Sequence, residues 1–434
     1  MRKTRGSVVK RPTHKPPQTI KEINDKINSG DVIVLTASEL CEMVRVGEEV
    51  HDVDVVTSGT KGIMSGTYAT LSFRVAEPNV FERADAVWIN DVPVFVGPCP
   101  NERLGILDVI VSGTAVSTSN NKYGGGHVLR DLLRREEVNV ELVTDEGRYL
   151  QTEVCLDEMH YAALLATRNA FKNYNAFVNP QEGCVRSIFS VRCLHGPYKE
   201  ASFCGCGEIN PLEKDPQLET IGIGTKVLLN GAVGFVTGRG TRSSPEKPNL
   251  SAYAEMWDMD PLYIGGYNTS AGPDIFSSWA VPIPITSARV LENVKKTDDE
   301  IPLPIVDVNG RELLGYAKCS DVWKGKCTSV TYRKKTCQKC EQCFVTELCP
   351  TGAFTQGKGI DKEKCTNCGA CVTACIYGAL KADLGHIPFN GIEIPVTLRQ
   401  SDKCKAVQLM DVLKHMIEKG EFLLNEPIGT IVFR

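Results

Sequence analysis

At 434 residues, 42% of them hydrophobic, the chain is long enough for two or three domains with a sizeable buried core. A formal net charge of −4 gives no global argument for binding nucleic acid or a membrane surface. No stretch reaches the roughly 18 uninterrupted apolar residues of a membrane span, and no secretory apolar core follows the basic start, so the expected compartment is the cytoplasm.

Residues 1–18 carry Arg2, Lys3, Arg5, Lys10, Arg11 and Lys15 without an acid, plus Pro12, Pro16 and Pro17, the composition of a flexible basic tail. Thr19-Ile-Lys-Glu22 is a capping box, opening a short helix with Ile20, Ile23 and Ile27 on one face that stops at Gly30. Apolar runs at Val32–Leu35, Val53–Val56, Val87–Ile89 and Val109–Val111 predict buried strands, and Val128–Arg135 and Leu156–Arg168 predict helices. Between β-rich runs, Asn230-Gly231 supplies the positive φ angles of a tight hairpin. The expected large domain, 19–315, is therefore α/β with a mixed, partly antiparallel sheet.

A linker at 316–330 then leads to an α+β, ferredoxin-like module at 331–385. The remainder, 386–434, reads as a small appendage with a strand at Ile392–Leu398, a helix at Ala406–Lys419 and an incidental thiol at Cys404.

Three glycine-rich segments stand near the predicted strand ends of the large domain, where open α/β sheets bind ligands: Thr57–Gly62, Ser112–Ser117 and Tyr123–His127. The last runs directly into a helix. The amides of Gly124, Gly125 and Gly126 could hold an anionic group there, against the plainer reading of a tight turn with a structural His127. None of the three matches a nucleotide-binding fingerprint.

Farther on, Cys184, Cys193, His195, Cys204 and Cys206 gather soft ligands around Phe203-Cys-Gly-Cys-Gly-Glu208. Such thiols can bind a metal, exchange persulfide sulfur, or simply be buried. Their spacing matches no standard zinc or cluster pattern.

Eight of the 18 cysteines fall in one stretch, Cys337-x2-Cys340-x2-Cys343-x5-Cys349-Pro350 and Cys365-x2-Cys368-x2-Cys371-x3-Cys375. Three thiolates on one tight loop reach three irons of a cube, and the fourth comes from a distant segment. The two runs are also an internal repeat, since Cys349-Pro-Thr-Gly-Ala-Phe354 answers Cys375-Ile-Tyr-Gly-Ala-Leu380. In such pseudo-symmetric modules the fourth cysteine of each run serves the other cluster. The spacing thus predicts two [4Fe–4S] clusters, one on Cys337, Cys340, Cys343 and Cys375, the other on Cys365, Cys368, Cys371 and Cys349. Zinc knuckles compete poorly, because zinc sites usually bring two close pairs of ligands. In a reducing compartment all these cysteines read as ligands or reactive thiols rather than disulfides.

The large domain resembles the homocysteine-biosynthesis family, whose characterised activity is aspartate-semialdehyde sulfurtransferase. The resemblance spans about residues 19–290 and is carried by Val53–Gly62, Tyr123–Val128, Arg168–Tyr174, Gly207–Leu212, Thr220–Lys226 and Val281–Ile285. With the ferredoxin module behind it, the chain is similar to the methanogenesis-marker metalloproteins. The resemblance implies conversion of an aldehyde to a thiol, with a cysteine persulfide as sulfur donor and external electrons completing the reduction.

One departure matters. A working cysteine of the family follows a Gly-Thr-Phe-Gly-Pro-Met segment, whereas here Gly59-Thr-Lys-Gly-Ile-Met64 is followed by Ser65. A second follows Thr-Asp, and here Thr144-Asp145 is followed by Glu146. A serine hydroxyl cannot carry a persulfide. The expectation is therefore that Cys204 or Cys206 carries the sulfur, aided by Cys184, Cys193 or Cys99, or that a further metal sits near Cys184, Cys193, Cys204 and Cys206. Arg168 and the Gly124–Gly126 amides are the expected contacts of a substrate carboxylate.

Together these features predict an iron–sulfur enzyme of reductive sulfur transfer, with a small carboxylate substrate and an external electron donor as its partners. Two alternatives belong to other classes: a non-enzymatic electron-transfer or metallocentre-assembly protein of methanogenic archaea, and a metabolite-sensing scaffold.

Overall fold

The structure, a computed structural model, describes residues 17–97, 102–171, 175–323 and 329–433. Most of the basic tail and Cys99 lie outside the described residues. The first helix, Ile20–Ser29, begins on the expected capping box: the Glu22 N–H donates to Thr19 Oγ1 at 3.2 Å, and the Thr19 N–H donates to Glu22 Oε2 at 2.7 Å. Gly30 ends it at φ 80°, in the left-handed region that glycine enters at no steric cost. Thr36 and Glu39 repeat the box for helix Ala37–Arg45.

The main sheet has 14 strands. From one edge its order is Val34–Thr36, Val55–Ile63, Gly272–Pro284, Lys226–Leu229, Ala232–Arg239, Leu250–Glu255 and Tyr161–Asn169, and then Thr67–Arg74, Ile106–Ser112, Val92–Val96, Ala84–Ile89, Val138–Thr144 and Tyr149–Val154. Gly265–Thr269 pairs beside this path with Gly272–Pro284. The fold is mixed α/β, but in the described part of this main sheet only the first pair runs parallel. Asn230 and Gly231, at φ 53° and 96°, make the predicted hairpin between Lys226–Leu229 and Ala232–Arg239.

One predicted helix is a strand. Over Leu156–Arg168 only Leu156–Glu158 turns, as a single 3-10 turn, and Tyr161–Asn169 is a central strand between Thr67–Arg74 and Leu250–Glu255. Ala162, Ala163, Leu164 and Ala166 are buried from both faces, and a continuous apolar run of that length fits either period.

A second sheet draws on three parts of the chain. Its six strands run Leu313–Lys318, Pro302–Asp307, Ala176–Val178, Ala201–Phe203, Ile392–Arg399 and His386–Phe389. The segment 386–434 is therefore not an appendage. It supplies two strands of this sheet, and its helix Lys403–Glu418 packs Leu409, Leu413 and Ile417 against Ile23, Ile27, Val55 and Ala280.

The cysteine-rich module is inserted between Leu313–Lys318 and His386–Phe389. The short pair Thr331–Tyr332 with Leu380–Lys381 closes its base, and helices Phe344–Leu348 and Ala370–Ala374 repeat across its halves. Asn268 N–H to Pro350 O (2.8 Å), Arg399 N–H to Cys368 O (2.8 Å) and Lys405 Nζ to Glu363 O (2.6 Å) fasten the module to the main body. No helix among the described residues is long and apolar enough to cross a membrane.

Candidate functional site

Strand Ala201–Phe203 ends in Cys204-Gly205-Cys206-Gly207, where Gly205 (φ 140°) and Gly207 (φ 61°) let the chain turn sharply. A side chain at Gly207 would put its Cβ 2.0 Å from Asp298 Oδ1, so glycine is required there. The turn sends the two thiols to different places. Cys204 is half-buried and faces a cavity of about 120 Å³, lined by Ser65, Arg168, Phe171, Asn175, Phe177, Ile188, Phe189 and Gln400 among others. Burial pushes its thiol up to about 12, against the pull of the Ser401 hydroxyl and the Arg168 charge.

The Arg168 guanidinium sits over the Phe171 ring at 5.3 Å, and burial with Arg242 nearby lowers its pKa. Its Nε is buried without a hydrogen-bond partner among the described residues, as is Asn175 Oδ1 in the same cavity. An orphan donor and an orphan acceptor in one pocket are what a small polar ligand would satisfy. The opposite wall is aromatic: Phe177 stacks on Phe189 with ring centroids 3.8 Å apart, and Arg311 lies over both.

Ser65, where the resemblance leads one to expect a family cysteine, lines this cavity too. Its hydroxyl donates to Asp274 Oδ2 at 2.8 Å, and Asp274 is only 2% exposed. Burial pushes the Asp274 carboxyl up to about 6, although Ser65 and the Ile275 N–H oppose that. Sequence reasoning missed this acid, since nothing local marks Gly-Pro-Asp-Ile as more than a strand start. Glu146, where the resemblance leads one to expect the second family cysteine, pairs in an exposed turn with Arg148 at 2.8 Å and is not among the residues lining the cavity.

The other expected site residues lie elsewhere. Cys206 is fully buried, accepting from Lys61 N–H at 3.5 Å and lying 3.7 Å from Thr60 Oγ1, and burial pushes it up to about 11. The glycine amides are engaged within the fold: Gly125 N–H donates to Ala115 O and Gly126 N–H to Gly113 O, both at 2.9 Å, while Gly124 N–H donates to His127 Nδ1 at 3.2 Å. A Cβ on Gly125 would meet Ser112 O at 1.8 Å, so close packing explains these glycines, and their donors are not free for a carboxylate.

Cys184 and Cys193 form a disulfide, a correction to the expectation of free thiols throughout, because the hairpin Gly183–Val185 with Leu194–Gly196 brings their Cα atoms to 5.4 Å. Cys404 is likewise disulfide-bonded rather than an incidental thiol.

All eight module cysteines are described, and four of their thiols gather as one set. Cys365, Cys368 and Cys371 each feel the charge of Cys349, the crossed partner. The only group of three or more His, Cys, Asp or Glu among the described residues whose ligand atoms all lie within 4.8 Å of one another is Cys184, Cys193 and His195. Thiols that come together from two separate segments are the donor set that an iron–sulfur cluster would take.

The chain is 44% identical over 409 residues to an uncharacterized protein of Methanothermobacter thermautotrophicus, covering 94% of each. It is 31% identical over 307 residues to the L-aspartate semialdehyde sulfurtransferase of Methanosarcina acetivorans, covering 67% of this chain and 58% of that one. Over 74 residues it is 31% identical to the electron transport protein HydN of Escherichia coli, which is 16% of this chain and 42% of that protein. No solved structure matches. Residues 32–424 match the family described as homocysteine biosynthesis enzyme, sulfur-incorporation, and the chain belongs to that family.

Proposed function

We propose that the protein is a cytoplasmic, iron–sulfur-dependent sulfur-transfer enzyme that converts a small carboxylate-bearing aldehyde, aspartate semialdehyde in the first instance, into its thiol. One observation carries this reading: Cys204 and Arg168 line one cavity together with Ser65, the position vacated by the family cysteine. The thiol lost from one wall is supplied from another. Cys204 then holds the sulfur as a persulfide, and Arg168 clamps the substrate carboxylate through its unpartnered edge. The aromatic wall excludes water from the aldehyde carbon.

Asp274, with its raised pKa, can hand a proton through Ser65 to the oxygen that leaves as water. The balance is R–CHO + E–S–SH + 4e⁻ + 4H⁺ → R–CH2–SH + E–SH + H2O, with a sulfane-sulfur donor and an external low-potential donor as co-reactants. Cys337, Cys340, Cys343 and Cys375, and Cys349, Cys365, Cys368 and Cys371, would hold two [4Fe–4S] clusters, which would supply the electrons one at a time. Cys184, Cys193, Cys204 and Cys206 do not share one site: Cys184 and Cys193 are disulfide-bonded beside His195, Cys204 faces the cavity and Cys206 is buried against Lys61.

Anaerobic incubation with polysulfide, aspartate semialdehyde and a low-potential reductant should yield homocysteine. Cys204→Ser should reduce this to background, while Arg168→Ala should raise KM about 10- to 100-fold, the loss of one or two charge-assisted hydrogen bonds. Equal product from wild type and Cys204→Ser would overturn the assignment of the sulfur carrier.

A further inference from the structure

The loop closed by the Cys184–Cys193 disulfide borders both the Cys204 cavity and the cysteine-rich module. On one side, Ile188 and Phe189 of the loop it closes form part of the Cys204 cavity. On the other, Cys193 shares a small cleft with Ala370 and Thr373 of helix Ala370–Ala374, which also carries Cys371. Arg192 Nη2 donates to Thr373 Oγ1 at 3.5 Å, and Val191 packs into the apolar cluster that contains Cys368 and Ala370.

The disulfide also has an acid–base neighbour. His195 lies opposite Cys184 across the hairpin, and a ring nitrogen lies within 4.8 Å of both sulfurs. The ring is held by a buried carboxylate: Glu200 Oε1 accepts from His195 Nδ1 at 2.7 Å and from the His195 N–H at 2.8 Å, while Thr397 Oγ1 donates to Glu200 Oε2 at 2.8 Å. An exposed histidine fixed this firmly beside two sulfurs is placed to move a proton to a leaving thiolate.

We infer that Cys184–Cys193 is a redox-active disulfide, a second reaction centre reduced through the cluster whose ligands are Cys349, Cys365, Cys368 and Cys371. One S–S bond breaks, two electrons arrive singly from the external low-potential donor by way of that cluster, and two protons are taken up, one through His195: RS–SR + 2e⁻ + 2H⁺ → 2 RSH. The substrate class for the dithiol so formed is sulfane sulfur. An external persulfide reoxidises the pair, R(SH)2 + R′–S–SH → RS2 + R′–SH + HS⁻ + H⁺, and sulfide is released. Electron entry rests on the clusters of the proposed function, but not on sulfur transfer at Cys204.

The test is an anaerobic reductive titration of the cluster-loaded full chain, with acid-quenched alkylation and mass spectrometry of the peptide bearing both cysteines. Wild type and Cys204→Ser should each take up two more electrons per chain than Cys184→Ser/Cys193→Ser, with both thiols alkylated in step. Prereduced wild type should release sulfide from glutathione persulfide, and the double variant should not.

Equal electron uptake by wild type and the double variant would overturn the proposal, as would a peptide that stays disulfide-bonded while the clusters are reduced. A stoichiometric zinc ion lost in the double variant would overturn it too, since the two sulfurs would then be metal ligands. Loss of homocysteine formation with the extra electron uptake retained would count only against the sulfur-transfer reading.

Discussion

Asp274 shows how much one buried side chain can set. Its folded-state pKa, raised to about 6 by burial, lies above the ordinary 3.8, so between those values the folded protein keeps a proton that the unfolded chain has released. Stability therefore falls as pH rises through that window, by roughly 3 kcal/mol in all at 1.36 kcal/mol per pKa unit. Asp274→Asn should remove that slope. Anaerobic denaturant unfolding of both proteins between pH 4 and pH 6.5 would check it, and an unchanged slope in the variant would mean that another group titrates there. The residue was invisible in the sequence because its importance comes from its partner at the cavity, Ser65, which lies 209 positions away along the chain.

Among the elements, those whose signals are local could be read directly. Thr19 with Glu22 and Asn230 with Gly231 each carry their own geometry, and both structures follow. Tyr161–Asn169 could not be read this way, because Ala-Ala-Leu-Leu-Ala favours a helix locally and only strands on both sides impose the extended form. The same non-local logic hid the role of helix Lys403–Glu418. The helix itself is legible in the sequence, but not the surface it covers, which comes from the first helix and the central strands. Leu413 is fully buried there, so Leu413→Ala should cost about 2–5 kcal/mol, as expected for a core position and not for a loosely attached tail. A change below about 0.5 kcal/mol in denaturant unfolding would restore the appendage.

At the scale of the molecule, cysteine spacing suggests a module at 331–385 and the resemblance suggests a large domain at 19–315. Neither said how the two are joined. The cavity joins Arg168, Ser65 and Cys204 through three separate strand ends, so only Cys204 and Arg168 were named as site residues, and the aromatic wall was not. Cys368 packs with Tyr267, Phe276 and Leu398, so a cluster bound at the proposed second site would be held against strands of the main body. Stripping iron with a chelator should therefore lower the thermal unfolding midpoint of the whole chain by several degrees, about 1 kcal/mol or more. A midpoint that does not move would show the module to be thermally independent.

The chain enters the module from Leu313–Lys318 and leaves it into His386–Phe389, two strands of one sheet. A carrier tethered at one end can swing between a donor and an acceptor, but a segment fastened at both ends and along its flank cannot. On the proposed function, electrons leaving a cluster held there would cross a constant tunnelling gap, and their transfer rate would be set by that gap and the driving force, independent of any encounter between moving parts.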